Sequence, residues 1–374
     1  MIRILQIGMS DNLGGIEVFL INYYRKLNKN KIQFDFINMY DCDLCFQKEI
    51  ESYGGKVYRL PNEKKHPFAY SKKLESIIKD NGYQIVHIHK NSLAFNISLK
   101  IVKKCNVKVK IIHSHNTKSS NPNFFINLLH EKNKKNISKY CDYFFACSAE
   151  AGKWMYNNSI INSSNYYVIN NAIDLNSFKY NLEIRNTLRK ELNISDEKFV
   201  IGHIGRFVKQ KNHNFLIDIF NEVHKVNKNA ILLLVGQGPL MEKIKEKVEN
   251  LNLTNSVKFV GQRTDVNRFY QAFDYFLFPS LYEGLGIVVI EAQCSGLQCL
   301  CSTEVPLLVK TTNNVNFLNL NDDLLIWRDK ILKSFKKNNR HNICAEITSN
   351  GFNIEKEILK LENIYKKSLE KNNN

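Results

Sequence analysis

Glu283 and Glu291 stand in one short stretch of the chain with seven residues between them. Gly284, Leu285 and Gly286 follow the first acid, and Ile287 to Cys294 reads as a short helix closed by Gly296. The apolar run from Tyr275 to Phe278 just before them reads as a buried strand. Strand, glycine loop and helix start, in that order, aim free backbone N–H groups and the positive end of a helix at an anion. The glycines let a ligand approach the backbone closely. Glu283 sits at the mouth of that loop. Glu291 lies inside the run Ile287-Val-Val-Ile-Glu-Ala, an apolar setting that argues against a solvated helix charge; there its carboxylate can accept hydrogen bonds from a sugar diol.

Arg206 and Lys211 follow a second apolar run, Phe199 to Ile204. Arginine forks to phosphate oxygens, and lysine adds a compact charge. With 10 Arg against 43 Lys in the chain, Arg206 is more informative than any single lysine. Lys211, beside Lys209 and Gln210, also has a plain reading as a solvated loop charge. His113 and His115 end a further apolar run at a spacing that metal ligands use. The sequence offers no third ligand at a matching position, so no metal is expected. Cys42 and Cys45 form a lone C-x-x-C with no second pair, which reads as a reduced pair in a loop.

Strand ends must carry these groups. In the first half, strands are expected at 2–7, 34–39, 56–59, 85–88, 108–113, 143–146 and 166–169. In the second half they are expected at 199–204, 231–235, 257–260, 275–278 and 297–301. Helical patterns alternate with them, among them 92–103, 124–139 and a charged stretch over 179–196. Strands alternating with helices imply βαβ units and parallel sheets. The expectation is therefore an α/β chain of two doubly wound, Rossmann-like domains, spanning 1–172 and 173–350, with 351–374 a closing segment built on one amphipathic helix. Ligands of such sheets bind beyond the carboxyl ends of strands. Gly14 and Gly15 follow the first strand as a phosphate-facing turn would, without the full G-x-G-x-x-G spacing; a plain tight turn is the alternative. The polar loop 113–122 suits a functional or mobile segment.

Six pieces in this order resemble retaining glycosyltransferase family 4, the nucleotide-sugar enzymes of the GT-B fold. They are Gly14-Gly-Ile-Glu17, His113-Ser-His-Asn116, Asn170-Asn-Ala-Ile-Asp174, Gly205 to His213, Val235-Gly-Gln-Gly-Pro239 and the stretch Phe278 to Gly296. Two positions depart from the pattern: Gln237 stands where an acid is common, and Gln298 where the family often has proline. The resemblance implies two domains facing across a cleft, with the closing helix crossing back to the first. It implies that Gly14 and Gly15 line the wall opposite the donor, and that His115 faces the donor sugar while His113 is structural. Arg206 and Lys211 would bind the diphosphate, and Gln262 and Arg263 the nucleobase loop. Glu283, Gly284, Leu285 and Gly286 would hold the sugar, and Glu291 the ribose. Glu283, His115, Arg206 and Lys211 would then carry catalysis. The implied reaction is retaining transfer of a hexose or N-acetylhexosamine, UDP-linked, to a glycan or lipid-linked acceptor, with no cofactor or metal. Similarity to capsule and exopolysaccharide enzymes sets that acceptor class. A hydrolase with two carboxylates at the scissile bond is disfavoured, because Glu291 is placed for ribose.

Composition bounds the alternatives. The 374 residues are 44% hydrophobic and 24% charged, an ordinary globular balance. The formal charge of +17 favours anionic partners, although an abundance of Lys and Asn also follows from genome composition. The lysine pairs 64–65, 103–104, 134–135 and 336–337 are scattered rather than interleaved with aromatics, so no nucleic acid is expected. A non-catalytic subunit of the same fold is the other alternative. Nine cysteines without a framework fit a reducing cytoplasm. The opening residues read as a strand, not a signal peptide, and no run is long enough to span a bilayer. Peripheral contact with the inner face of an anionic membrane is expected from the charge. Phe124 to Lys135 is the candidate segment, set against the simpler expectation that Phe124, Phe125 and Leu128 are core.

Overall fold

A strand covered by helices on both faces needs apolar residues at consecutive positions, not alternate ones. Runs such as Ala230–Val235 and Tyr275–Phe278 meet that need and are buried throughout. The computed structural model describes residues 1–117, 123–334, 340 and 343–371. Residues 118–122 of the expected polar loop, the Lys336 and Lys337 pair, and 372–374 lie outside the described residues.

The first unit comprises Met1–Ile173 and Gly351–Asn374. It opens β1 (Ile2–Ile7), α1 (Gly15–Lys26), β2 (Ile32–Asn38), α2 (Gln47–Ser52), β3 (Val57–Arg59), α3 (Pro67–Asp80) and β4 (Ile85–Lys90). It continues α4 (Ile97–Lys104), β5 (Val109–Ser114), α5 (Phe124–Lys134), β6 (Tyr143–Ala146), α6 (Ala149–Met155), α7 (Asn158–Ile161) and β7 (Tyr166–Val168). The seven strands lie in the order β3-β2-β1-β4-β5-β6-β7, all parallel. One core lies on each face of the sheet.

The second unit is Asp174–Asn350. It runs α8 (Leu175–Phe178), α9 (Leu182–Glu191), β8 (Phe199–Ile204), α10 (His213–Val226), β9 (Ala230–Val235), α11 (Met241–Asn250) and β10 (Val257–Gly261). Then come α12 (Val266–Ala272), β11 (Tyr275–Phe278), α13 (Ile287–Cys294), β12 (Gln298–Ser302), β13 (Val315–Leu318), α14 (Leu324–Leu332) and α15 (Cys344–Ser349). Its sheet order is β10-β9-β8-β11-β12-β13, again parallel. The final helix, α16 (Ile354–Lys371), returns to the first unit. Ile354, Ile358, Leu361 and Tyr365 join the core with β1 and β2. Asn28 N–H donates to Glu362 Oε1 at 2.8 Å and Lys26 pairs with Glu355 at 2.7 Å.

Four expectations need correction. The helix over 179–196 is shorter: Lys179 is extended, ending the preceding α8, and only α9, Leu182–Glu191, is helical within that stretch. The first-unit helix placed at 92–103 starts only at Ile97. Strand β13 was not foreseen, because a strand at the sheet edge is only half covered and carries Asn316 among its apolar residues. The apolar residues of α5 are not core: Phe124 and Phe125 are each 72% exposed, Leu128 57% and Leu129 43%. Among the α5 residues only His130 is buried, stacked on Trp154 with ring centroids 4.0 Å apart.

The second unit is pinned by a buried charge cluster. Asp274 binds Arg185 at 2.6 Å and Arg189 at 2.5 Å, and accepts from Val200 N–H at 2.8 Å. Removing one member of such a cluster leaves uncompensated charge in the interior. Asp274→Ala should therefore lower the unfolding free energy of this unit by about 3–5 kcal/mol, read from its urea midpoint. A loss below about 1 kcal/mol would mean that the guanidiniums find other acceptors.

Candidate functional site

Strand order reverses between β8 and β11, and loops leaving such a pair diverge to open a crevice beyond the strand ends. The β8 loop is built around Phe207, a buried ring stacked 4.0 Å from His213 at the start of α10. The loop after β9 lies directly on it. Phe207 N–H donates to Gln237 O at 3.1 Å, and Leu240 N–H donates to Phe207 O at 3.0 Å. Two glycines make that approach possible: a Cβ on Gly236 would lie 2.0 Å from Gly205 O, and one on Gly238 2.7 Å from Phe207 O.

Across the switch point the β8 and β11 loops are stitched together. Leu281 N–H donates to Gln210 O at 2.8 Å. Gln210 Nε2 donates to Tyr282 O at 3.0 Å and to Glu283 Oε2 at 3.2 Å. Lys211 Nζ binds Glu283 Oε1 at 2.6 Å and lies 4.7 Å from the centroid of the Phe278 ring. Both partners of this pair are largely shielded from water, so Lys211 is not a solvated loop charge. Arg206 is exposed and has no hydrogen-bond or ion-pair partner among the described residues. Gly284, Leu285 and Gly286 then lead into α13. Gly286 takes the left-handed conformation (φ 87°) as its N-cap, with no side chain capping the first turn. An unpaired guanidinium, a lysine and an uncapped helix end make this edge a place for anionic oxygens.

Glu291 points inward from α13. Its Oε2 accepts from Tyr270 O–H at 2.6 Å, and Oε1 has no hydrogen-bond partner among the described residues. Burial pushes this carboxyl up to about 7. Gln262 and Arg263 follow β10, whose end is tied to β9 by Gly236 N–H donating to Gly261 O at 2.8 Å. Both side chains are exposed; Arg263 holds Asp265 through two hydrogen bonds, of 2.8 and 2.9 Å.

In the first unit Gly14 caps α1 in extended geometry, and a Cβ there would lie 2.8 Å from Glu17 Oε2. Glu17 is buried and accepts from Ser10 N–H at 2.8 Å, bracing the loop after β1. Gly15 faces open space. His115 follows β5 and is one of four clustered histidines. His113 is fully buried, edge-on to Phe19. The spacing in the sequence points to these two alone. The structure adds His87 and His89 from β4, whose i, i+2 spacing on a buried strand puts both on the face that His113 occupies. His87, His89 and His113 each place a ring nitrogen within 4.8 Å of the others, so the third ligand that the sequence did not offer exists. Both His89 nitrogens are, however, already hydrogen bonded, to Gln6 and His115 at 2.8 Å each. His89 could ligate an ion only by giving up one of them. Burial lowers all four imidazoles, His115 to about 3, so they are neutral near neutral pH. Gln6, His89 and Gln210 were missed as site residues. The paired histidines of β4 were the signal available for His89; Gln6 and Gln210 gave none.

Known proteins resemble both units. The family model "Glycosyltransferase Family 4" matches residues 13–177, and "Glycosyl transferases group 1" matches residues 184–317. "Putative glycosyltransferase EpsF" of Bacillus subtilis (strain 168) is 30% identical over 378 residues, covering 100% of this chain and 98% of its own. The "UDP-Gal:alpha-D-GlcNAc-diphosphoundecaprenol alpha-1,3-galactosyltransferase" of Escherichia coli is 30% identical over 210 residues, 53% of each chain. Among solved structures, Anabaena Alr3699/HepE in complex with UDP and glucose superposes with a TM-score of 0.79 over 98% of this chain and 100% of its own, at 17% identity, which is a likeness of fold. With two family models in sequence order and a relative matched from end to end, the chain belongs to the group 1, family 4 glycosyltransferases.

Proposed function

We propose that the chain transfers a hexose or N-acetylhexosamine from a UDP-linked donor, with retention at the anomeric carbon and without a metal, to a lipid-linked acceptor in polysaccharide synthesis. The observation that carries this reading is the β8–β11 edge, where a free Arg206 and the Lys211–Glu283 pair stand beside the uncapped start of α13. Breaking the bond from the anomeric carbon to the diphosphate leaves negative charge on a phosphate oxygen. Arg206, Lys211 and the N–H groups at the start of α13 stabilise that charge where it develops. Glu283, oriented by Lys211 and Gln210, accepts from hydroxyls of the donor sugar. The acceptor hydroxyl attacks from the face the leaving group departs, and its proton passes to the departing phosphate oxygen. Glu291 Oε1 accepts from the ribose. UDP in the HepE complex and the diphosphoundecaprenol substrate in the name of the Escherichia coli relative favour the donor and acceptor classes.

The α5 surface favours membrane contact. Its exposed phenylalanines and leucines lead into Lys132 and Lys134 in the last turn and Lys135 just beyond. Aromatic rings beside lysines suit the interface of an anionic bilayer, where each lysine near the surface contributes ~1 kcal/mol. The whole chain adds a formal +17. Among the described residues no helix is long and apolar enough to cross a membrane, so contact of this kind would be peripheral.

Glu283→Ala should lower kcat about 100-fold with little change in donor KM, whereas Glu291→Ala should raise donor KM about tenfold with little change in kcat. Equal effects confined to KM would contradict the two roles. Because burial raises Glu291, its neutral form prevails below about 7 and the carboxylate above. Ribose hydroxyls donate better to the carboxylate, so donor KM should fall as pH rises through that value, and Glu291→Gln should flatten the profile. Activity should survive excess EDTA; a loss of tenfold or more restored by magnesium or manganese would refute metal-free transfer. The protein should sediment with phosphatidylglycerol vesicles at low salt, and less so in high salt or after Phe124→Ser with Phe125→Ser. Equal binding to phosphatidylcholine vesicles would remove the electrostatic argument, and no binding at low salt the membrane itself.

A further inference from the structure

Beside α16 the first unit holds a cavity of about 240 Å³. β7 is the edge strand of the sheet, and α16 reaches it through Lys360, whose Nζ donates to Val168 O at 2.6 Å. Helical spacing puts Ile364, Lys367 and Lys371 on the same flank of α16 as Lys360. Across the cavity from that flank stand Tyr143, the first residue of β6, and Tyr167 of β7. Their rings stack with centroids 6.5 Å apart. None of the lining residues belongs to the loops at the carboxyl ends of the strands, so the cavity is separate from the site described above.

Most of the polar groups around it are unpaired. Neither tyrosine hydroxyl has a hydrogen-bond partner among the described residues, nor does the Asn363 side chain at the rim. Lys367 and Lys371 are exposed and form no ion pair among those residues. Lys360 is already held by Val168 O and stands 3.6 Å from Glu357. No acid is among the described residues that line the cavity, so two free ammoniums face it without a counter-charge. An apolar wall with a few convergent polar groups is what a small-molecule site needs. Three features narrow the occupant. The volume is below the roughly 300–1,000 Å³ of pockets that enclose drug-sized ligands, so it seats one ring rather than a nucleotide. A tyrosine offers a flat apolar face and a polar tip, which match the C–H face of a pyranose and its hydroxyls. Two ammoniums on one side call for an anionic substituent, a carboxylate or a phosphate.

We propose that this cavity is a second saccharide site, which takes a pyranose bearing a carboxylate or a phosphate and so holds an anionic glycan on the first unit, apart from the place of transfer. Tyr143 and Tyr167 receive the C–H face of the ring and its hydroxyls, and Lys367 and Lys371 receive its charge. That the enzyme meets such glycans rests on the proposed polysaccharide synthesis, whereas binding at the cavity is observable without any transfer.

The test is saturation-transfer NMR on the full-length protein with excess UDP, which fills the donor site of the proposed reaction. Hyaluronan tetrasaccharide supplies the carboxylate, glucose 6-phosphate the phosphate, and chitotetraose a neutral control. At least one anionic sugar should bind about tenfold or more tightly than chitotetraose, and its affinity should fall as salt rises. Lys367→Glu with Lys371→Glu should weaken that binding about tenfold or more, and Lys367→Arg with Lys371→Arg should retain it. Both lysines are exposed, so reversing them leaves the core untouched. Tyr167→Leu keeps an apolar side chain in the wall and should weaken binding of the ring. Transfer to a short acceptor should be the same in all the lysine variants. The proposal is overturned if inorganic phosphate competes as well as the sugars, if chitotetraose binds equally, or if charge reversal changes affinity less than about twofold. It is also overturned if neither anionic sugar binds up to about 10 mM. If an anionic sugar binds at the lysines while no donor supports transfer, the second site stands and the reading of the reaction falls.

Discussion

A parallel strand cannot return to its neighbour by a tight turn; the chain must cross over the sheet, and a helix is what crosses. Everything functional here follows from that constraint. Crossovers put every carboxyl end on one edge of the sheet and every amino end on the other. Loops leaving the carboxyl ends are therefore neighbours in space although they are far apart in sequence. Lys211 and Glu283 are 72 residues apart along the chain and share a 2.6 Å hydrogen bond. Gln6 and His89 are 83 residues apart and are joined at 2.8 Å. In each unit the interactions gather beside the pair of strands where the order reverses, β1 and β4 in one, β8 and β11 in the other.

The two edges are prepared differently. The β8–β11 edge is cationic and partly open: a free guanidinium, a lysine held by a glutamate, and a helix start without a cap. The edge of the first unit is buried and neutral, a line of amide and imidazoles in which burial suppresses charge. Charge suits an anionic group, and fixed polarity suits a neutral one. A diphosphate needs cations, whereas a neutral sugar needs donors and acceptors whose direction does not fluctuate.

Much of the fold could be read from the sequence because covered strands cannot hide: their apolar runs are uninterrupted. What escaped was partly covered. Strand β13 has a neighbour on one side only, and its sequence, Val315-Asn-Phe-Leu318, lies in a polar setting. The periodicity of α5 revealed an apolar face but not what covers it, and among the described residues Phe124 and Phe125 have water for company. At the site, residue types were legible and partnerships were not. Glu291 was readable as buried because a lone acid in an apolar run must be. Nothing near Lys211 in sequence told that Glu283 would hold it, nor that Gln210 would hold both loops. The histidines of β4 were visible as a spaced pair, but only register places His89 beside His113.

The return of α16 to the first unit has a consequence for how the protein is made. Ile354, Ile358, Leu361, Ile364, Tyr365 and Leu369 finish a core whose other members lie before residue 173. A ribosome must synthesise all of 174–350 before that helix exists. At roughly 5–20 residues per second this leaves one face of a sheet whose strands are all made waiting for its last helix on the order of 10–35 s. By its end the second unit is complete in sequence and can settle by itself, while the first, begun earlier, still lacks α16. The nascent chain thus carries an apolar face in need of shelter, and the unit translated first is the last to reach its native packing.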